Sequence, residues 1–190
     1  MNSINDAITI TFPDGKTKEF EKGITGYKIA ESIAKSLAKI AIAISVDNVQ
    51  KDLSDSINSD SSISIITLEN DEGLEIMRHT LTAQVLAKAI KNLYPLAKLA
   101  IGPTIDNGFY YDVFFEKQIS SEDLPKIERE MNKIIKNGSA INKTIHSKED
   151  AIKLFNERDE TYKIDIINKS EQDDNFQIYT QGESGFIDLC

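Results

Sequence analysis

Hydrophobic and polar residues alternate over the first third of the chain in a pattern that predicts a small sheet crossed by one helix. Residues 7–20 alternate with a period of two on both sides of a Pro-Asp-Gly turn, which indicates a hairpin. Apolar residues then recur at helical spacing over residues 29–37, and strand-like runs follow at residues 41–46 and 62–67. This β-β-α-β-β order predicts a ubiquitin-like β-grasp module.

The pattern changes after a short Asn-Asp-Glu-Gly stretch at residues 70–73. Apolar residues spaced three and four apart over residues 74–93 predict one long amphipathic helix, which a proline ends. An aromatic-rich run at residues 108–115 is typical of a strand. A capped helix is predicted between Ser120 and Gly138.

The last fifty residues continue this mixture of helices and strands. Ser147 and Asp150 form a capping-box signature in front of another helix. Strands are predicted at residues 162–167, 176–179 and 186–189. The expected fold class is α+β, with the β-grasp module followed by a mixed α+β domain in which a long helix packs on an antiparallel sheet. The expected division is residues 1–67, a linker at 68–73, and a second domain at 74–190.

Composition and charge narrow the function classes. No run of about 18 apolar residues exists, which argues against a membrane span, and the N-terminus lacks the pattern of a secretory signal. A single cysteine excludes an internal disulfide framework, so a cytoplasmic location is expected. The formal net charge is −9, and neither residues 1–67 nor 68–190 are basic. Charge alone therefore argues against nucleic acid as the binding partner.

Few residues in the chain could carry catalysis. The sequence contains no phosphate-binding glycine loop, no HExxH motif and no paired-cysteine zinc spacing, so no metal site is expected. The two histidines are His79, on the apolar helix, and His146, in a polar stretch. A structural role is open for both. Cys190 needs a neighbour that lowers its thiol pKa to be reactive, and Asp188 acts in the opposite direction.

The strongest local signal is the segment from Ile101 to Asp112, in which turn-forming dipeptides flank three consecutive aromatic residues. Alternate rings on a strand face opposite sides. Two interpretations are open: a tyrosine that stacks on a base and bonds a ribose, or a core strand with one hydroxyl at its rim.

Four ordered segments carry a resemblance to bacterial threonyl-tRNA synthetases. IGPTIDNGFYYD at residues 101–112 closely resembles a signature of their editing domain, and DEGLEIMRH at residues 71–79 resembles the entry to that domain. ETYKI at residues 160–164 resembles their SYK segment, and FIDLC at residues 186–190 resembles the start of their DxCRGPH motif. The N-terminal third resembles the TGS module that precedes the editing domain.

The resemblance implies a threonine–tRNA ligase, which joins threonine to tRNA(Thr) with ATP in a catalytic domain that this chain is expected to lack. It implies that this chain binds the tRNA(Thr) acceptor end and hydrolyses mischarged seryl-tRNA(Thr). ATP and zinc are implied for the missing domain, so no cofactor is expected in this chain. The whole enzyme is expected to be a homodimer and this chain a monomer. The chain is also expected to end, at Cys190, inside its last motif.

The matching positions carry implied roles. His79 would hold the terminal adenosine or the attacking water, and Lys163 would place a water or steady developing negative charge. Asp188 would read the seryl ammonium, and Cys190 matches the motif cysteine. Two further residues would shape the substrate site: Tyr111 would contact the substrate end, and Gly102 would let the backbone approach the seryl group.

One departure from the family concerns Gln84. The family reads R-H-x-x-x-H, whereas here one residue is inserted after His79 and Gln84 stands at the second histidine. Five-residue spacing on an α-helix rotates the second side chain by about 140° relative to the first, and glutamine cannot act as a base near neutral pH. Either the insertion forms a loop before the helix, or Thr80 takes the place of His79; editing is then weakened, or the second histidine is dispensable. Two alternative functions are also open: a tRNA-binding module without editing activity, and a regulatory TGS-type protein that binds a small ligand.

Overall fold

The computed structural model describes residues 7–182 and 185–189. The prediction for Cys190 lies outside these residues. The chain divides into two compact units, Met1–Met77 and Arg78–Cys190.

The first unit is a β-grasp fold, which confirms the prediction. Its five-stranded sheet has the order β2-β1-β7-β4-β5, and β1 and β7 pair in parallel while the other pairs are antiparallel. A short two-stranded ribbon, β3 with β6, lies beside it. The elements are β1 (Ala7–Thr11), β2 (Thr17–Glu21), β3 (Ile24–Thr25), α1 (Gly26–Ile33), α2 (Lys35–Ile40), β4 (Ala41–Val46), β5 (Val49–Lys51), β6 (Ser56–Ile57) and β7 (Ser61–Thr67).

The core of this unit follows from the alternation in the sequence. Ile8 and Ile10 point to one face of the sheet, where Ile29 of α1 covers them. Thr25 caps α1, since its hydroxyl accepts a hydrogen bond from the amide of Lys28. The predicted helix is interrupted at Ala34, whose backbone is extended, so that it becomes two short helices.

The second unit contains the later part of the predicted long helix, two separate two-stranded ribbons and a three-stranded antiparallel sheet of order β12-β13-β14. Of the helical residues between Asp71 and Leu93, those from Arg78 onward belong to this unit. The elements are α3 (Asp71–Thr80), a π-helical segment (Leu81–Leu86), α4 (Ala87–Leu93), β8 (Lys98–Leu99), β9 (Thr104–Ile105), β10 (Gly108–Phe109), β11 (Val113–Phe114), α5 (Leu124–Asn137), β12 (Ile141–His146), α6 (Lys148–Asn156), α7 (Thr161–Lys169), β13 (Phe176–Gln181) and β14 (Phe186–Leu189).

Three apolar clusters hold this unit together. One packs α4 and the π-helical segment against α5, around Val85 and Ile134. A second packs α4 against the β8–β11 ribbon and reaches Phe186 of β14. The third packs α6 and α7 on the three-stranded sheet around Phe155. The long helix and the antiparallel sheet therefore belong to one mixed α+β fold.

The predicted strand at residues 162–167 is wrong, because this segment is helix α7. Tyr162, Ile164 and Ile166 alternate in the sequence and so imitate a strand. The buried side chains are instead Lys163 and Ile167, which are four residues apart and so share one helix face. The carbonyl of Glu160 starts the helix by accepting hydrogen bonds from the amides of Lys163 and Ile164.

The aromatic run at residues 108–115 is less regular than predicted. Only β10 and β11 form paired strands, and between them Tyr110 and Asp112 bond to the carbonyls of Pro103 and Ile101. The side chains nevertheless alternate as expected: Tyr110 is 54% exposed, whereas Tyr111 is partly buried. Strand β12 was not predicted, because its two isoleucines are exposed and give no core signal.

Candidate functional site

One cavity in the second unit collects most of the predicted site residues. It has a volume of about 480 Å³ and lies between the C-terminal turn of α3, the Ala100–Thr104 segment, helix α7 and strand β14. Its lining includes five of the predicted residues, which come from separate stretches of the sequence: His79, Gly102, Tyr111, Lys163 and Asp188. The fold thus brings together side chains that are up to 109 positions apart.

Lys163 is the centre of this group. Its ammonium lies 2.6 Å from Oδ1 of Asp188 and donates a hydrogen bond to the Tyr111 hydroxyl over 3.1 Å. The side chains of Lys163 and Asp188 are only 7% and 3% exposed. A buried charge pair of this kind is tolerated only when the two charges neutralise each other and their remaining hydrogen bonds are satisfied.

Burial and charge together set the protonation states. Burial lowers the pKa of Lys163, but the negative charge of Asp188 and the Tyr111 hydroxyl raise this pKa by more, so the net direction is upward. Burial raises the pKa of the Asp188 carboxyl, while Lys163 and the Leu189 amide act in the opposite direction. At neutral pH Lys163 therefore remains an ammonium ion, held at a fixed point in the cavity wall by its carboxylate partner.

Tyr111 is kept in its neutral form. Burial, followed by the negative charge of Asp188, raises the pKa of its hydroxyl from 10.0 to about 12. The neutral hydroxyl accepts from Lys163 and still has its own proton to donate to a ligand.

This shift predicts an alkaline transition. A folded-state pKa above the unfolded one stabilises the fold below pH 10, and this stability is lost as pH rises through about 12. The free energy of unfolding should fall by up to about 1.4 kcal/mol per pH unit in that window. An ultraviolet phenolate titration of the chain minus that of Tyr111→Phe should give one midpoint near 12. A difference titration centred at 10 would contradict the described packing.

Gly102 allows the closest approach in the cavity wall. A Cβ atom at this position would lie 2.4 Å from Cδ2 of Tyr111 and 2.6 Å from Cγ2 of Thr82. Both distances are far below van der Waals contact. The residue is glycine because a ring and a methyl group fill the space that a side chain would need, and not because its φ angle is unusual.

His79 and Gln84 end up in different places. His79, on the last turn of α3, lines the cavity, and Ala83 four residues later lines it too. Gln84 is 5% exposed, and it is absent from the described residues that line the cavity. Its Oε1 atom has no hydrogen-bond partner in the described part of the chain. The helix thus presents Ala83, and not the predicted Gln84, beside His79.

The extra residue after His79 coincides with the π-helical segment. There the amide of Ala87 donates to the carbonyl of Thr82, five residues earlier, whereas an α-helix would use the carbonyl of Ala83. A wide turn accommodates one more residue without breaking the helix, so the insertion need not form a loop.

Sequence reasoning missed a second face of the cavity. Ile166 and Ser170 line it together with Lys163, at the three- and seven-residue spacing of one helix face. Reading this segment as a strand concealed that relation. Within residues 7–182 and 185–189, no group of three or more His, Cys, Asp or Glu side chains could hold a metal ion.

Comparisons with known proteins agree with this architecture. The family model for the TGS domain matches residues 8–67. The threonine–tRNA ligase of Francisella philomiragia is 49% identical over 183 residues, which is 96% of this chain and 28% of that protein. Those of Halalkalibacterium halodurans and a Geobacillus species are 46% and 47% identical over 187 residues, covering 97% and 98% of this chain and 28% and 29% of theirs.

This chain belongs to the threonine–tRNA ligase family. The observation that decides it is the high identity across both units, with the TGS match confined to the first. The chain spans less than a third of the length of these relatives. Among the described residues, no helix is long and apolar enough to cross a membrane.

Proposed function

We propose that this chain is the editing portion of a threonine–tRNA ligase: it binds the acceptor end of tRNA(Thr) and hydrolyses a serine ester from it. The observation that carries the proposal is the cavity in which a buried ammonium, a carboxylate, a neutral tyrosine hydroxyl and an imidazole converge. ATP-dependent attachment of threonine, with its zinc and ATP sites, is proposed for the longer ligase and not for this cavity.

The cavity supports ester hydrolysis through its charges. Water adds to the ester carbonyl, the carbonyl oxygen takes up negative charge, and the bond to the ribose oxygen then breaks as that oxygen gains a proton. The Lys163 ammonium, fixed by Asp188 and shielded from solvent, stabilises this negative charge. His79 is the only histidine among the described residues of the cavity, and it positions the water or accepts its proton.

Asp188 and Tyr111 would hold the two ends of the substrate. Both hydrogen bonds that Asp188 forms within the described residues end on Oδ1, one from Lys163 and one from the Leu189 amide. Oδ2 therefore remains to accept from the ammonium group of the seryl residue. Tyr111 donates its hydroxyl proton toward the ester or the ribose.

Discrimination by size explains why such a site is useful. Serine is threonine without one methyl group, and a missing methyl is worth only about 1–3 kcal/mol in a binding pocket. A synthetic site for threonine thus admits some serine. A second cavity that is too narrow for the additional methyl removes the error.

The test is deacylation of labelled seryl-tRNA(Thr) and threonyl-tRNA(Thr) by the chain. Seryl-tRNA should lose its amino acid faster, and His79→Ala should slow this reaction by about 100-fold. Tyr110→Phe is the matched control, because Tyr110 is adjacent to Tyr111 but 54% exposed. No acceleration over the spontaneous rate, or equal rates for the chain and His79→Ala, would contradict the proposal.

A second function is favoured by Gln84. The site lacks a second imidazole in the described residues, and the amide of Gln84 lies outside the cavity wall. The chain could then bind and position tRNA without hydrolysis. Saturable binding of tRNA(Thr) by the chain, with seryl-tRNA(Thr) deacylated no faster than its spontaneous rate, would establish this function instead.

A further inference from the structure

Thr82 occupies an unusual position in the π-helical segment. It is completely buried, and its hydroxyl donates to the carbonyl of Arg78 over 2.8 Å. Its methyl carbon, Cγ2, faces Gly102, as shown by the 2.6 Å that would separate it from a Cβ atom there. The Thr82 methyl group and the Tyr111 ring therefore both pack against the position that a side chain at Gly102 would occupy.

The β-branched side chain restricts where this methyl group points, and valine shares that restriction. Threonine is stiff at χ1, and a hydrogen bond to the carbonyl four residues earlier selects one rotamer. The π-helical segment begins directly after His79 and Thr80, so the residue that contacts Gly102 belongs to the widened turn. The widened turn that contains Gln84, which lies outside the cavity wall, thus also contains the residue whose methyl group lies behind that wall.

We propose that Thr82 is a positioning residue that sets the selectivity of the cavity: its methyl group packs over Gly102 beside the Tyr111 ring, keeps both in place and so limits the side chain that fits. The proposal rests on the proposed function for its substrate, an aminoacyl ester of tRNA. Thr82 itself stays behind the wall, since it is fully buried and is not among the described residues that line the cavity. Its effect passes through Gly102 and the Tyr111 ring.

Two substitutions separate the methyl group from the hydroxyl. Thr82→Ser keeps the hydroxyl that bonds Arg78 and removes the methyl that contacts Gly102. Thr82→Val keeps the methyl and removes the hydroxyl. If the methyl positions the wall, only the serine variant changes selectivity. If Thr82 merely stabilises the helix, the valine variant, which leaves the Arg78 carbonyl without this donor, changes as much.

The first readout is the ratio of seryl to threonyl deacylation rates. We expect Thr82→Ser to lower this ratio by about tenfold, mainly by admitting the threonyl ester, and Thr82→Val to leave it within about twofold. An unchanged ratio in Thr82→Ser, with seryl hydrolysis intact, would overturn the proposal. So would an equal loss of selectivity in both variants.

The second readout needs no enzymatic activity. The phenolate titration of Tyr111, taken as the difference from the same protein with Tyr111→Phe, should move from about 12 toward 10.0 in Thr82→Ser and stay near 12 in Thr82→Val. If no protein hydrolyses either ester, the proposed function fails and the selectivity role with it. This titration then still decides whether Thr82 positions Tyr111, and an unmoved midpoint in Thr82→Ser overturns that as well.

Discussion

Replacing Lys163 with methionine is expected to lower the free energy of unfolding of the second unit by roughly 3–5 kcal/mol, the cost typical of removing one member of a buried ion pair. The substitution keeps the length of the side chain but leaves Asp188 charged at 3% exposure. It also removes the donor to Tyr111. The measurement is a urea unfolding curve followed by circular dichroism.

The loss of unfolding free energy in Lys163→Met should depend on pH in a defined direction. Without Lys163, the Asp188 carboxyl loses the largest of the influences that oppose burial, so its pKa rises further. A carboxyl with a folded pKa above its unfolded one costs the fold stability as pH rises through that interval. The difference between the chain and Lys163→Met should therefore be largest at neutral pH and shrink toward pH 4.

Two variants control this experiment. Lys133→Met breaks an ion pair with Glu130 in which the lysine is 72% and the glutamate 16% exposed, and it should cost at most about 1 kcal/mol because the lysine is solvated. The double variant Lys163→Met with Asp188→Asn removes both charges and should recover most of the loss. Equal losses of unfolding free energy in Lys163→Met and Lys133→Met would contradict the burial of the Lys163–Asp188 pair.

Gly102→Ala is expected to abolish selective ligand binding, and its effect on function should exceed its effect on stability. The added carbon would lie 2.4 Å from the Tyr111 ring and 2.6 Å from Thr82, so the ring or the backbone must move. Overpacking of this kind costs typically 1–3 kcal/mol of stability. A displacement of about 1 Å at a reacting centre can reduce the rate about 100-fold, which the deacylation assay would measure.

Gly108→Ala is the matched control for this substitution. Gly108 lies in β10, six residues after Gly102, and a Cβ atom there would meet no atom within 4 Å. It should leave hydrolysis unchanged within about twofold, and any stability cost should be small. If Gly102→Ala and Gly108→Ala behaved alike, the close contact of Gly102 with Tyr111 could not be controlling the site.

Much of the fold could be predicted from the sequence, because burial follows local periodicity. The alternation around Ile8 and Ile10 predicted the first hairpin, and Ser147 does cap helix α6, since its hydroxyl accepts from the Asp150 amide. Strand β12 was not predicted, because its two isoleucines are exposed and give no core signal. Helix α7 was predicted to be a strand, since Tyr162, Ile164 and Ile166 alternate in the sequence, while Lys163 is buried where a charge is not expected.

The site could be predicted only in part. The resemblance singled out His79, Lys163 and Asp188, but nothing in the local pattern shows that a lysine and an aspartate 25 positions apart form an ion pair. The sequence also could not predict which side chain near Gln84 faces the cavity. A single wide turn and a regular α-helix share almost the same apolar spacing, so the sequence could not show that Ala83 faces the cavity and Thr82 supports its wall.

The most direct test of the account is equilibrium binding of two stable amide analogues, seryl- and threonyl-3′-amino-3′-deoxyadenosine, measured by calorimetry with the chain. The cavity described here predicts that the seryl compound binds at least about tenfold more tightly than the threonyl one. It also predicts that Gly102→Ala removes this preference and Gly108→Ala keeps it. Equal affinity for the two compounds, or no binding of either, would contradict the account.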